Sequence, residues 1–287
     1  MQIVKDRAVL LTLRNPEKVT DIIPKSKRLK DNQVLVNWGL DEVQVLNNLS
    51  IKVPSPIQSQ YEWTGRHEPF EHQKSTAAFL TLNKRAFCFN EQGTGKTASA
   101  IWASDYLLNQ GYIKRVLVIC PLSIMEVAWR ADLFTFAMHR TVDVAHGAAA
   151  KRKKIIAQGA EYVVINYDGV EIVADEIANG GFDLIIVDEA THYKNAQTKR
   201  WKMLSKLITN STWVWMMTGT PAAQSPLDAY GLAKIINPSA VPKFFSSFRD
   251  QVMVKITQFK WVPKESSVAI VYNALQPAIR FTKDECL

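Results

Sequence analysis

Two stretches carry residues able to handle a polyphosphate. The first is FNEQGTGKTASA, Phe89 to Ala100. The phosphate-loop pattern G-x-x-x-x-G-K-[ST] would put its first glycine at position 90, where Asn90 stands. The remainder is intact. Gln92, Gly93, Thr94, Gly95, Lys96, Thr97 and Ala98 can form a loop and the first turn of a helix. Two glycines let backbone N–H groups close around phosphate oxygens without a Cβ in the way. A helix starting at Lys96 would aim its positive end at the anion. Lys96 would reach the β- and γ-phosphates, and Thr97 would offer a hydroxyl to Mg²⁺. The second stretch is Ile185-Ile186-Val187-Asp188-Glu189. Two adjacent acids at the end of an apolar strand are costly unless a cation or a reaction needs them. Asp188 would hold Mg²⁺ through water, and Glu189 would orient and polarise an attacking water.

Such residues need a rigid frame. Ala86–Phe89, Arg115–Cys120, Tyr162–Asn166, Asp183–Asp188 and Trp213–Met217 are apolar runs that read as strands, and Lys96–Leu108 has helical spacing. Near-continuous apolar strands alternating with helices predict an α/β fold with a mostly parallel sheet covered on both faces. Ligands of such sheets sit at the carboxyl ends of the strands. The first 60 residues read differently. Ala8–Leu13 and Gln33–Trp38 look like short strands, Asp41 like the cap of a short helix through Leu49, and Pro54-Ser55-Pro56 like a linker. The expected division is a small α+β or β appendage over 1–60 and one large domain over 61–287.

Composition narrows the class. Hydrophobic residues make up 47% of the 287, enough for a substantial core and against disorder. A net charge of +8 favours polyanionic partners. Cys88, Cys120 and Cys286 are far apart and odd in number, and His67, His72, His139, His146 and His192 lack metal-ligand spacing, so neither a disulfide framework nor a zinc site is expected. No apolar run suits a bilayer span or a signal peptide. A cytoplasmic protein without a membrane partner is expected. The basic runs Lys25–Lys30 and Lys151–Lys154 fit either solvated surface or phosphate contacts. The eight tryptophans lie mostly in apolar patterns and read as core.

Taken in order, the motifs resemble the first RecA-like domain of superfamily 2 helicase-type ATPases, and within them the Snf2 family. That family's loop typically reads D-E-M-G-x-G-K-T, without the first glycine, and Asn90–Thr97 fits it. Pro69-Phe70-Glu71-His72-Gln73 resembles the segment whose glutamine reads adenine, which implies a contact from Gln73, with Phe70 either beside it or in the core. Cys120-Pro121-Leu122-Ser123 with Trp129 resembles the DNA-facing "CPLS…W" motif, and Ile165-Asn166-Tyr167 the next DNA-facing strand end. Asp188–Asn195 resembles "DEAHRxKN", with Thr191 where the histidine that couples the acids to the next motif is usual. Thr218-Gly219-Thr220-Pro221 resembles the coupling motif "TGTP".

The resemblance covers about residues 66–287 and implies ATP and Mg²⁺ as ligands. It implies double-stranded DNA as partner, gripped near Ser123, Asn166 and Lys194, with Thr218 and Thr220 coupling the nucleotide to movement. It also implies a second RecA-like domain, absent here, that donates an arginine to the γ-phosphate. The chain alone would then be a weak ATPase, and a monomer. In combination with the first 60 residues it looks like helicases of bacteriophages, which would place it in host cytoplasm. The alternative is an ATP-binding regulatory module that binds a partner and never translocates. A P-loop kinase is a third reading. It would need an arginine-rich lid, and the stretch after Lys96 supplies none.

Overall fold

In the computed structural model, residues 1–222, 224–258 and 260–286 are described. The first four strands are β1 (Gln2–Val4), β2 (Ala8–Thr12), β3 (Lys27–Arg28) and β4 (Gln33–Asn37). They form an antiparallel sheet in the order β1-β2-β4-β3. Val9 and Leu11 of β2 and Val34 and Val36 of β4 point to one face and bury with Val43 and Leu46 of the helix Leu40–Asn48. This is the period-2 alternation of a sheet with one wet face. The expected cap moves. Gly39 precedes the helix and Asp41 lies in its first turn, where its charge favours the helix dipole instead of capping a backbone N–H.

Pro54-Ser55-Pro56 is not a free linker. Ser55 is buried, its Oγ lies 2.8 Å from Thr81 Oγ1, and Trp38 Nε1 donates to Pro54 O at 2.9 Å. Leu40 and Ile57 reach into the core of the following unit, so the two regions share packing. The prolines stop secondary structure here without loosening the chain.

The central sheet comprises β5 (Arg85–Cys88), β6 (Val116–Cys120), β7 (Val142–Ala145), β8 (Tyr162–Asn166), β9 (Leu184–Asp188), β10 (Trp213–Met217) and β13 (Ala278–Ile279). A small hairpin-like pair, β11 (Met253–Lys255) and β12 (Trp261–Pro263), lies apart from it. The strand order is β13-β5-β10-β9-β6-β8-β7, and every pairing is parallel. The expected α/β architecture is thus present, with a core on each face. Leu184 and Ile186 bury into one core, and Ile185 and Val187 into the other. This double burial explains why these strands read as unbroken apolar runs.

Register decides where chemistry can sit. Cys88, Met217 and Asp188 lie level across β5, β10 and β9, and Cys120 pairs with Asn166 across β6 and β8. The glycine loop, the Thr-Gly-Thr turn, the acid pair, Pro121–Ser123 and Asn166 therefore gather on one rim of the sheet. Cys88 and Cys120 are fully buried, and burial pushes the Cys88 thiol up to about 11. Trp38, Trp102, Trp129, Trp213 and Trp215 are buried as expected. No helix among the described residues is long and apolar enough to cross a membrane.

Candidate nucleotide site

β5 runs directly into the glycine loop. Gly93 and Gly95 have φ of 87° and 80°, a left-handed conformation that favours glycine. A Cβ at Gly95 would also collide with the Gln73 side-chain amide. The helix Lys96–Asn109 starts right after Gly95. Lys96 Nζ donates to Glu91 O at 3.1 Å, folding the ammonium across the loop's mouth. The loop is braced from behind. His72 Nε2 lies 2.8 Å from Thr94 O, and Gln73 Nε2 donates to the same oxygen at 3.4 Å. Gln73 Oε1 accepts from Phe70 N at 3.0 Å, so its amide ties the helix start to the loop. Phe70 is 65% exposed and stacks on His72 at 5.7 Å, which rules out the core alternative for this ring. No sequence signal singled out His72.

Gln73, Gln92, Gly93, Gly95, Lys96, Thr97 and Ala98 line one cleft of about 450 Å³ with Asp188, Glu189 and Ser123. Thr94 is buried beneath it, its Oγ1 donating to Glu91 O at 2.8 Å. A larger groove of about 590 Å³ runs along the helix Ser267–Ala274, but its walls are mostly apolar and hold no carboxylate.

Asp188 is 7% exposed. Its Oδ2 accepts from Trp129 Nε1 at 2.8 Å and its Oδ1 from Glu189 N at 2.9 Å. Burial raises its pKa, and those two hydrogen bonds and Lys96 oppose the rise. Glu189 is raised by burial and then by the Asp188 charge, with Lys96 opposing. Each Asp188 oxygen keeps a lone pair for a water or a cation. Thr97 opens the helix on the same cleft, so the pair fits an octahedral cation that keeps several waters. Among the described residues, no three His, Cys, Asp or Glu side chains form a separate metal cluster. A cation here would be held chiefly by a polyphosphate.

Glu189 has φ 50° and ψ 54°, left-handed without being glycine. Such a position costs on the order of 1–3 kcal/mol. Tyr167 holds it, its hydroxyl donating to Asp188 O at 2.6 Å and more weakly to Glu189 O at 3.4 Å. The tyrosine expected at a DNA-facing strand end is thus turned inward onto the backbone of the acid pair. Trp129 is core, as its apolar pattern predicts, although the motif it belongs to is the DNA-facing one. It is fully buried in a π-helical turn, Met125–Arg130, and faces Asp188, not solvent. A buried indole N–H needs an acceptor, and the carboxylate supplies a charge-assisted one.

The Thr-Gly-Thr turn lies against the glycine loop. Thr218 N donates to Cys88 O at 3.0 Å, and a Cβ at Gly219 would lie 3.6 Å from Gln92 N. Thr220 shares a smaller cleft of about 340 Å³ with Lys96 and Glu189. Ser123 is exposed on the rim. Asn166 is only 7% exposed, and its Oδ1 accepts from Arg152 at 2.9 Å. Lys194 Nζ donates to Gln224 Oε1 at 2.8 Å and pairs with Asp228 at 3.3 Å. Of the three residues expected to meet DNA, Asn166 and Lys194 are engaged by these partners, while Ser123 has no side-chain hydrogen bond among the described residues.

The basic run 151–154 splits in two. Arg152 is 6% exposed and also donates to Ala145 O and Gly147 O, while Lys151 and Lys154 face solvent. Arg152→Ala is expected to cost about 1–3 kcal/mol in denaturant unfolding, because buried acceptors lose a charged donor. Lys151→Ala should stay within about 0.5 kcal/mol. Equal effects would contradict this division.

The SNF2-related domain profile matches residues 41–285. The chain belongs to the SNF2-related domain family. An uncharacterized ATP-dependent helicase of Bacillus subtilis, YqhH, is 22% identical over 224 residues, covering 74% of this chain and 37% of its own length. The ATP-dependent helicase fft2 of Schizosaccharomyces pombe is 27% identical over 176 residues, 58% of this chain and 13% of its own. The fold resembles the SWI2/SNF2 ATPase core of Sulfolobus solfataricus solved with double-stranded DNA, with a TM-score of 0.63 at 23% identity, covering 77% of this chain and 46% of that one. This SNF2-related domain spans less than half the length of those relatives. The match begins at residue 41, so it takes in all but the first residue of the helix Leu40–Asn48 that packs on the N-terminal sheet.

Proposed function

We propose that this SNF2-related domain is the ATP-binding lobe of a DNA-dependent ATPase. Residues 61–287 would form the lobe and 1–60 a small appendage. Joined to a second RecA-like domain, it would couple ATP hydrolysis to movement along duplex DNA. The observation that carries this reading is the convergence of Lys96 and Thr97 from one element with Asp188 and Glu189 from another in one cleft. That the relatives are ATP-dependent helicases, and that a solved structure with this fold holds duplex DNA, supports it.

In this reading the glycine loop wraps the phosphates, and Lys96 leaves Glu91 O to pair with them. Gln73 and Phe70 border the adenine. Thr97 and Asp188 would hold Mg²⁺, which when bound neutralises phosphate charge. Glu189 accepts a proton from the attacking water, and its raised pKa suits that task. Thr218 and Thr220 sense the terminal phosphate beside the loop. Ser123, with Lys151 and Lys154, would grip DNA phosphates, and Asn166 and Lys194 would shape that face from behind.

The test is ATP turnover with and without duplex DNA. This lobe alone should bind Mg-ATP and turn it over weakly, DNA should stimulate turnover once a second RecA-like domain is joined to it, and DNA affinity should fall steeply with salt, as phosphate contacts require. ATP binding without any turnover by the two-domain assembly, in the presence of DNA, would favour a regulatory module instead. Trp129→Phe removes one N–H from Asp188 while keeping an aromatic ring. It should lower turnover about tenfold at unchanged ATP affinity, the loss of one charge-assisted hydrogen bond. Wild-type turnover in that variant would mean that the bond contributes nothing.

A further inference from the structure

The chain after β13 travels along the glycine loop instead of leaving it. Phe89 N donates to Ile279 O at 2.8 Å, and Glu91 N to Phe281 O at 2.9 Å, so the parallel ladder continues past the end of β5 into the loop. The two residues at the altered start of the loop complete the attachment. Asn90, fully buried where the general pattern has glycine, accepts from Phe281 N at 3.0 Å through Oδ1 and donates to Thr76 Oγ1 at 2.8 Å. Glu91 Oε2 accepts from Lys283 N at 3.0 Å. A glycine at 90 could make neither side-chain bond.

This clamp carries two cations to the site. Arg280 and Lys283 line the 340 Å³ cleft with Lys96, Glu189, Gln92 and Thr220. The Lys283 side chain lies over Gly93, its Cε 3.4 Å from where a Cβ would sit. Among the described residues Lys283 Nζ has no ion-pair partner, and Arg280 Nη2 is only loosely paired with Glu91, at 3.9 Å. The two clefts meet over Gln92, Lys96 and Glu189, away from Gln73. Cations at that junction face the phosphate end of a nucleotide, not its base.

We infer that Lys283, assisted by Arg280, binds the terminal phosphate of a nucleoside triphosphate, and that Asn90, in the place of the loop's first glycine, and Glu91 beside it hold these cations there. The inference rests on the nucleotide reading of the cleft. It adds positive charge from this lobe itself, on the side of the γ-phosphate where Glu189 and Thr220 stand.

The experiment measures binding of a non-hydrolysable ATP analogue and of ADP, both with Mg²⁺, to the 287-residue chain. Lys283→Ala should weaken the triphosphate about tenfold, equivalent to about 1.4 kcal/mol, and change ADP by less than about twofold. Arg280→Ala should act in the same direction, and Lys283→Arg should restore most of the loss. Equal losses for both nucleotides would mean that the segment only supports the loop. Unchanged or tighter triphosphate binding would mean that Lys283 makes no contact or occupies the phosphate's place. Either result overturns the inference. A wild-type chain that binds neither nucleotide would instead sink the site reading beneath it.

Discussion

Replacing Lys96 with alanine is expected to abolish Mg-ATP binding at millimolar nucleotide. The ammonium lies at the junction of two clefts, and its present acceptor, Glu91 O, is a loop carbonyl that a phosphate oxygen can replace. A charged hydrogen bond to an anion contributes about 1.5–3 kcal/mol, and Lys96 can make more than one. The substitution should leave folding intact, because the side chain is only half-buried and its hydrogen bond is to a loop carbonyl. Isothermal titration with ATP and ADP checks it. Undiminished affinity would remove the nucleotide assignment. Gly95→Ala should weaken binding too, for a different reason: the left-handed backbone strains a residue with a Cβ, and the new methyl would push the Gln73 amide off the loop.

Glu189→Gln is expected to separate binding from chemistry. The amide is nearly isosteric and keeps an oxygen in the cleft, but it cannot take a proton. Turnover should fall by about 10²–10⁴-fold, the usual contribution of a positioned general base. ATP affinity should stay near wild type or rise slightly, since one negative charge beside the phosphates is gone. Single-turnover hydrolysis with duplex DNA present is the measurement. Loss of binding and turnover together would assign Glu189 to ligand holding. Retained turnover would move the base elsewhere.

Much of this frame was legible in the sequence because each central strand is buried on both faces. Tyr162–Asn166 and Trp213–Met217 can be bounded by eye, since nothing polar interrupts them. β7 and β13 escaped notice for the opposite reason. Val142–Ala145 is an edge strand with Asp143 in its middle, and Ala278–Ile279 has two residues, too few for periodicity to speak. The glycine loop and the acids announced themselves by residue type. What supports them did not. Trp129, Tyr167 and Arg152 looked like one more core aromatic, a strand end and part of a basic run, yet each makes a specific hydrogen bond to a residue distant in sequence. Neither spacing nor composition reveals which indole meets which carboxylate. That requires the register of β9 against β6 and β10.

The position of β5 between β10 and β13 bears on how the chain comes together in time. Arg85 pairs with Val214, and Phe87 with Ala278, across most of the sequence. β5 thus emerges well before its partners β10 and β13, and until they form the loop it carries remains without those walls. Long-range parallel pairing is intrinsically slow. The wall that β13 gives the glycine loop can therefore form only after the chain has been made as far as Ile279.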